Sequence, residues 1–188
     1  MSTVIENLKE AINGESNAKR KYELYAKKAR EENLPEIAHL FEAISAAEAI
    51  HIKNHIRALA VLTNADVNVE DFVEVNENNL KNHVKDTKAN LIDAISGEIY
   101  ETKKMYKNFV KNSKKEGSEV TNLSFSLAKK AEKIHAELFT KSLKFLENNK
   151  TIEKRKIFVC QICGNVEYEA PPSVCPICKH SQKFFREY

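Results

Sequence analysis

A chain of 188 residues, 42% hydrophobic and 30% charged, has the composition of an ordinary globular protein with one main core and room for a small appendage. Its net charge of +3 is spread along the sequence rather than gathered on one face, so no nucleic-acid partner is expected. No secretory signal is visible and no uncharged run nears the ~20 residues that span a bilayer, so the expected location is cytoplasmic, with no membrane partner.

Helical signals run from residue 2 to about 148. Thr3 and Glu6 are spaced as a capping box and open a first helix, whose apolar seam is Leu8, Ile12, Tyr22, Tyr25 and Ala29. Pro35 suits the first turn of a second helix, with Ile37, Phe41, Ile44, Ile52, Leu59 and Leu62 on its seam. A stretch rich in Asn and Asp, Asn64 to Lys85, separates it from a third helix capped by Asp86 or Thr87, which carries Leu91, Ile95, Met105 and Phe109. Gly117 ends that helix, and Ser118 opens a fourth with Leu127, Phe139, Leu143 and Leu146. Four helices with one long crossover form a ferritin-like, all-α bundle. Short strands at 157–159 and 166–168 then begin a small C-terminal unit. The expected domains are residues 1–150 and 151–188.

Charges interrupt the seams. Glu15 falls three residues after Ile12, and such offsets share a helix face. Glu48-x-x-His51, Glu98-x-x-Glu101 and Glu132-x-x-His135 occupy the matching stripe of the other helices. Buried carboxylates without partners are costly, so this many in one bundle call for multivalent cations. One Glu from each of two helices, with Glu-x-x-His from each of the other two, is the di-iron carboxylate pattern.

The bundle is also an internal repeat: Glu98 follows Glu15 by 83 residues and Glu132 follows Glu48 by 84. Glu101 has Ala18 as its counterpart and is an extra ligand of the third helix. Gly14 and Gly97, each just before a ligand, are expected to let a neighbouring helix or side chain come close. His55, one turn after His51, either extends the site or is a hydrogen-bonded seam histidine, and the second reading is preferred. Tyr22 and Tyr106 are core-side aromatics that either only pack or donate to the carboxylates. Surface roles are expected for His39, His83 and His180.

All four cysteines lie near the C-terminus, as Cys160-x-x-Cys163 and Cys175-x-x-Cys178. Four thiolates at this spacing make a tetrahedral site for zinc or iron, and spacing does not choose between them. A neighbouring di-iron centre that needs electrons favours a one-iron redox site, with Phe158, Tyr168, Phe184 and Phe185 shielding it.

Across essentially its whole length the sequence resembles the rubrerythrins. The resemblance rests on Gly14-Glu15 with Tyr22, Glu48-x-x-His51, Gly97-Glu98-x-x-Glu101 with Tyr106, Glu132-x-x-His135 and the rubredoxin-like cysteines. It implies an oxidoreductase of oxidative-stress defence in anaerobes and microaerophiles, a peroxidase that reduces hydrogen peroxide to water. The implied cofactors are two irons in the bundle, oxo- and carboxylate-bridged, and one iron held by Cys160, Cys163, Cys175 and Cys178, with zinc a possible substitute. Glu15, Glu48, His51, Glu98, Glu101, Glu132 and His135 would serve the di-iron site, Glu48 and Glu132 as bridges. Glu101 and His51 would alternate as ligands between oxidation states, and Tyr22 and Tyr106 would hydrogen-bond to carboxylates. Lys179 departs from the glycine that rubredoxin knuckles often carry.

No dinucleotide-binding glycine motif follows a strand, so the electron donor would be a separate rubredoxin or NAD(P)H-dependent reductase. Thirteen residues of helix separate His135 from the end of the bundle, about 20 Å at 1.5 Å per residue. On that ground a head-to-tail homodimer is expected, the tail of one chain serving the bundle of the other. Two other classes remain open: a ferroxidase or iron-handling protein using O2, and a zinc-ribbon interaction tail on a redox-silent bundle.

Overall fold

The computed structural model describes residues 2–148 and 154–188. The 150/151 domain boundary lies outside the described residues. Two 29-residue helices, α1 (Thr3–Glu31) and α2 (Pro35–Thr63), pack along each other. The second pair is α4 (Thr87–Tyr100), continued by a π-helical turn (Glu101–Met105) into α5 (Tyr106–Lys115), packed along α6 (Glu119–Glu147). Helices α2 and α6 meet across the centre. Pro35 stands in the first turn of α2 and Asp86 caps α4 by accepting from Ala89 N–H at 2.8 Å, as the sequence leads one to expect. The capping box does not form: Ser2 is the N-cap of α1, and its hydroxyl turns to Glu116 instead.

The crossover is more ordered than its composition suggests. It contains a short helix, α3 (Glu77–His83), and lies along α1. Asn13 accepts from Glu74 N–H, Asn17 donates to Glu74 C=O, and Arg20 pairs with Glu77. These polar ties act together with Val67, Val69, Phe72 and Val73, which pack against the bundle core without a helical period.

Two apolar cores sandwich the layer of charged residues. One gathers Tyr22, Phe41, Ile44, Leu91 and Phe139; the other gathers Leu8, Ile12, Leu59, Tyr106, Phe109 and Phe125. The tail is a three-stranded antiparallel sheet in the order β2-β1-β3, from β1 (Ile157–Cys160), β2 (Val166–Tyr168) and β3 (Phe185–Glu187). The third strand carries no sequence signal: it is three residues long and mostly exposed.

The tail does not stand off the end of its own bundle. Ile157, Val159 and Val166 join the core that holds Phe139, and Asn54 of α2 donates to Ile162 C=O at 2.8 Å. The distance argument for a partner's tail therefore fails: Lys154 onward lies back along α6, toward its middle. The linear extrapolation assumed that the chain keeps the direction of the helix.

Candidate metal centres

Each charged residue of the seams except Glu101 reaches the bundle centre. Glu15, Glu48, Glu98, Glu132, His51 and His135 are at most 1% exposed. They form two interlocking clusters, Glu15-Glu48-His51-Glu132 and Glu48-Glu98-Glu132-His135. Glu48 and Glu132 belong to both clusters. The i, i+3 spacing does this locally: His51 Nδ1 lies 2.9 Å from Glu48 Oε2, and His135 Nδ1 lies 2.7 Å from Glu132 Oε2. Across the bundle, His51 Nδ1 is 2.7 Å from Glu132 Oε1 and His135 Nδ1 is 3.5 Å from Glu48 Oε1.

The donor atoms fit two cations. Glu15 Oε2, Glu48 Oε1, Glu98 Oε2, both Glu132 oxygens and His135 Nδ1 are buried without a well-aligned hydrogen bond, despite their short separations. Buried polar atoms without partners call for an explanation such as a bound ion, and these six converge in one layer. The electrostatics agree. Burial, and then the charges of Glu132 and Glu48, push the Glu15 and Glu98 carboxyls well above the usual range. Burial pulls His135 down, but Glu132 and Glu48 outweigh it and raise it to about 10. The cluster demands positive charge, and imidazole with carboxylate suits iron.

The hydroxyl of Tyr22 donates to Glu98 Oε1 at 2.6 Å, and that of Tyr106 donates to Glu15 Oε1. Both tyrosines are therefore donors to carboxylates, each bonding the carboxylate of the opposite repeat. Glu101 stands apart, half-buried on the π turn and outside both clusters, while His51 is inside one. Burial and the charges of Glu15, Glu132 and Glu48 raise its carboxyl as well. The π turn is legible in hindsight. Tyr22 follows Glu15 by seven residues, whereas Tyr106 follows Glu98 by eight. The extra residue is absorbed by one wide turn, which keeps Tyr106 on the site face and gives Glu101 its place.

The reason offered for Gly14 and Gly97 is overturned. A Cβ on Gly14 would meet nothing within 4 Å, and one on Gly97 only Lys21 Nζ at 3.9 Å. The structure gives no steric reason for either glycine. His55 lies in neither cluster; it bonds Ser124 and Tyr106, as the preferred reading holds. Of the surface histidines, His39 meets the Tyr188 carbonyl at 2.8 Å, and His83 and His180 bond nearby main-chain carbonyls.

In the tail the four sulfurs converge, with Cys160–Cys178 and Cys163–Cys175 Sγ pairs both 3.7 Å apart. A tetrahedron with metal–sulfur bonds of about 2.3 Å has sulfur edges near this length, whereas a disulfide needs about 2.05 Å. Each knuckle closes on a left-handed residue. Gly164 (φ 74°) donates to Cys160 C=O at 2.9 Å, and Lys179 (φ 64°) to Cys175 C=O at 3.1 Å, so the lysine makes the same turn at some backbone strain. Phe185 packs with the cysteines, but so do Ile162, Ile177 and three α6 residues, Leu127, Ala131 and Ile134. Phe158 and Phe184 are not part of that cluster, and Tyr168 packs on the bundle core instead. Shielding thus comes from α6 as much as from the tail's own aromatics.

The sequence reading missed the contact between the two centres. His51 Nε2 lies 3.1 Å from Cys163 C=O and His135 Nε2 lies 2.9 Å from Gly164 C=O. A ring whose Nδ1 faces the carboxylates thus presents its Nε2–H to a cysteine knuckle. The only local signal was the knuckle glycine itself: a Cβ on Gly164 would sit 2.4 Å from His51 Nε2.

These features define a ferritin-like carboxylate bundle built for two metal ions, joined to a small four-thiolate domain. The family model Rubrerythrin matches residues 6–143, and the model Rubrerythrin, rubredoxin-like domain matches residues 158–186. Rubrerythrin-1 of Clostridium acetobutylicum is 33% identical over 96% of this chain and 91% of its own length. Nigerythrin of Nitratidesulfovibrio vulgaris is 34% identical over 100% of this chain and 88% of its own. The structure of fully reduced, all-ferrous nigerythrin superposes with a TM-score of 0.84 at 33% identity, and the mixed-valence state with 0.87 at 34%, each covering 100% of this chain and 88% of that one. The chain belongs to the rubrerythrin family, and its two centres are that family's di-iron site and four-cysteine rubredoxin-like site.

Proposed function

We propose that this chain is a peroxidase that reduces hydrogen peroxide to water at the bundle site, with electrons entering through the tail. The observation that carries the proposal is the pair of hydrogen bonds from His51 and His135 to the main chain of Cys163 and Gly164. A structural zinc ribbon has no use for such a junction. A ferroxidase draws electrons from its own Fe2+ substrate and needs no donor domain, so the junction also favours the peroxidase over that alternative.

Glu15, Glu48, His51 and Glu132 would hold one iron, and Glu48, Glu98, Glu132 and His135 the other. When bound, the two irons supply the two electrons that cleave the O–O bond. The residues do the rest. Glu48 and Glu132 span both positions and fix their separation. The Nε2 bonds hold each imidazole with Nδ1 inward. Tyr22 and Tyr106 orient Glu98 and Glu15, and burial together with those carboxylates keeps both phenols protonated. Glu101, outside both clusters, would exchange with His51 as a ligand when the oxidation state changes.

The donor would be a separate rubredoxin or NAD(P)H-dependent reductase, and four unbridged cysteines suit the reducing cytoplasm. No described helix is long and apolar enough to cross a membrane. A homodimer remains part of the proposal, without the need for each tail to serve the partner. Chains lacking Cys160 and Cys163, co-refolded with chains lacking Glu48 and Glu132, should stay inactive if each tail serves its own bundle; restored turnover would mean exchanged tails. The central test is stopped-flow reoxidation of the reduced, iron-loaded chain. Peroxide should react at least about tenfold faster than oxygen, a barrier difference of roughly 1.4 kcal/mol. Equal rates, or faster oxygen, would sink the peroxidase reading.

A further inference from the structure

The two repeats differ behind their tyrosines. Behind Tyr22 the packing is apolar, with Phe139 at 5.3 Å and Phe41 at 6.0 Å between ring centroids. Phe139 follows His55 by the same 84 residues that separate Glu48 from Glu132, and Ser124 follows Leu40 by 84. Where one half places Phe139 and Leu40, the other places His55 and Ser124. Packing alone is met by the apolar pair, since both Leu40 and Phe139 are fully buried. A buried histidine has a desolvation cost that phenylalanine avoids.

His55 is fully buried and both its nitrogens are engaged: Nδ1 lies 2.7 Å from Ser124 Oγ and Nε2 lies 2.9 Å from Tyr106 Oη. Proton positions follow from donor counting. The single hydroxyl hydrogen of Tyr106 points at Glu15 Oε1, so the Tyr106 oxygen must accept from His55 Nε2–H. His55 Nδ1 is then an acceptor and takes the hydroxyl hydrogen of Ser124. Every donor points inward, from Ser124 to His55 to Tyr106 to Glu15. Ser124, 7% exposed, is the outermost member of the line, whereas the three inner members have no exposure. Burial pushes His55 down to about 3, so the ring is neutral, with one donor and one acceptor nitrogen.

We propose that Ser124, His55 and Tyr106 form a proton relay that delivers protons from solvent to the Glu15 side of the bundle site. The proposal rests on the peroxidase reading, in which H2O2, two electrons and two protons give two waters. The O–O bond breaks, two O–H bonds form, and the electrons come from the reduced iron pair, refilled through the four-cysteine iron. For one of those protons, the Tyr106 hydrogen passes inward to Glu15, which would release it to a departing peroxide oxygen and return to the carboxylate form. Tyr106 takes the Nε2 hydrogen of His55, Nδ1 takes the Ser124 hydrogen, and Ser124 is reprotonated by water. His55 acts only through Tyr106, so it is a positioning and relay residue that touches no substrate. The Phe139 side has no such line, so the two metal positions are served unequally.

The test compares wild type with His55→Gln, His55→Phe and Ser124→Ala as full, iron-loaded chains. Glutamine can still donate to Tyr106 and accept from Ser124, but its amide does not shuttle a proton. Phenylalanine is what the other repeat already accommodates. Single-turnover oxidation of the reduced chain by peroxide should show a solvent deuterium isotope effect in wild type. It should slow roughly 100-fold in all three variants, the low end for positioned proton transfer, at unchanged iron content. Independently, histidine-selective 15N NMR of the zinc-substituted chain should show His55 as the Nε2–H tautomer. His55→Gln within about twofold of the wild-type rate, no wild-type isotope effect, or an Nδ1–H tautomer would overturn the relay. A wild-type chain inert to peroxide would overturn the peroxidase reading and the relay with it. A reactive wild type with an unchanged glutamine variant would overturn the relay alone.

Discussion

Gly164→Ala isolates the junction between the two centres. The new Cβ would lie 2.4 Å from His51 Nε2, 3.0 Å from His51 Cδ2 and 3.2 Å from Ala47 C=O. Ordinary contact begins at about 3.5 Å, so a gap of roughly 1 Å must open. His51 cannot retreat, because its Nδ1 is set among Glu48, Glu132 and Glu15, and Ala47 C=O belongs to the α2 backbone. The knuckle must therefore lift. Lifting it breaks the bonds at Cys163 and Gly164 C=O, each worth about 0.5–1.5 kcal/mol. The left-handed backbone at φ 74° adds roughly 1–2 kcal/mol for any residue with a Cβ. The two lost bonds total about 1–3 kcal/mol against docking of the tail, and the backbone cost falls on the knuckle itself. Gly117→Ala is the control: φ is 68° there, but its Cβ would meet nothing within 4 Å, so only the backbone cost applies. The assay is the rate of electron transfer from the pre-reduced four-cysteine iron to the oxidised bundle, followed by the bleaching of each chromophore. Gly164→Ala should slow this step several-fold and raise the protease sensitivity of the tail, while Gly117→Ala should change neither. If Gly164→Ala transfers electrons at the wild-type rate, the tail does not meet the bundle through this face.

Gly14→Ala should raise stability by about 0.5–1 kcal/mol without loss of metal, because the position is helical and open; thermal melting and iron analysis check it. Lys179→Gly should relieve roughly 1 kcal/mol of left-handed strain in the second knuckle and slow metal release from the tail to a chelator; faster release would show that the lysine stabilises the site by other means. Removing the bundle metals should lower the melting temperature of the full chain by about 5–10 °C, since a ligand at about 100 times its Kd adds roughly 2.7 kcal/mol and each kcal/mol moves a domain of this size by about 2–4 °C. A melting point unchanged by chelation would mean that the carboxylate cluster is satisfied without cations.

Helical periodicity and residue spacing by themselves determined the bundle and its buried cluster of carboxylates and imidazoles. Glu15, Glu48, His51, Glu98, Glu132 and His135 recur on core-facing stripes, and an i, i+3 pair meets wherever the helix forms, because that contact is local. The cysteine spacing determined the tail centre for the same reason. Tertiary structure alone decided the features that depend on which surfaces meet. The return of residues 154–188 onto α2 and α6 has no periodic signature, since it is secured by a few side-chain bonds to main-chain carbonyls and the apolar residues of two short strands, β1 and β2. The freedom around Gly14 and Gly97, the separation of Glu101 from both clusters and the wide turn before Tyr106 are likewise properties of packed helices. So is the inward line from Ser124 to Glu15. Ser124 and His55 lie 69 residues apart on different helices. Sequence order carries no information about the hydroxyl that meets an imidazole across a bundle, because that contact is fixed by the approach of α2 to α6.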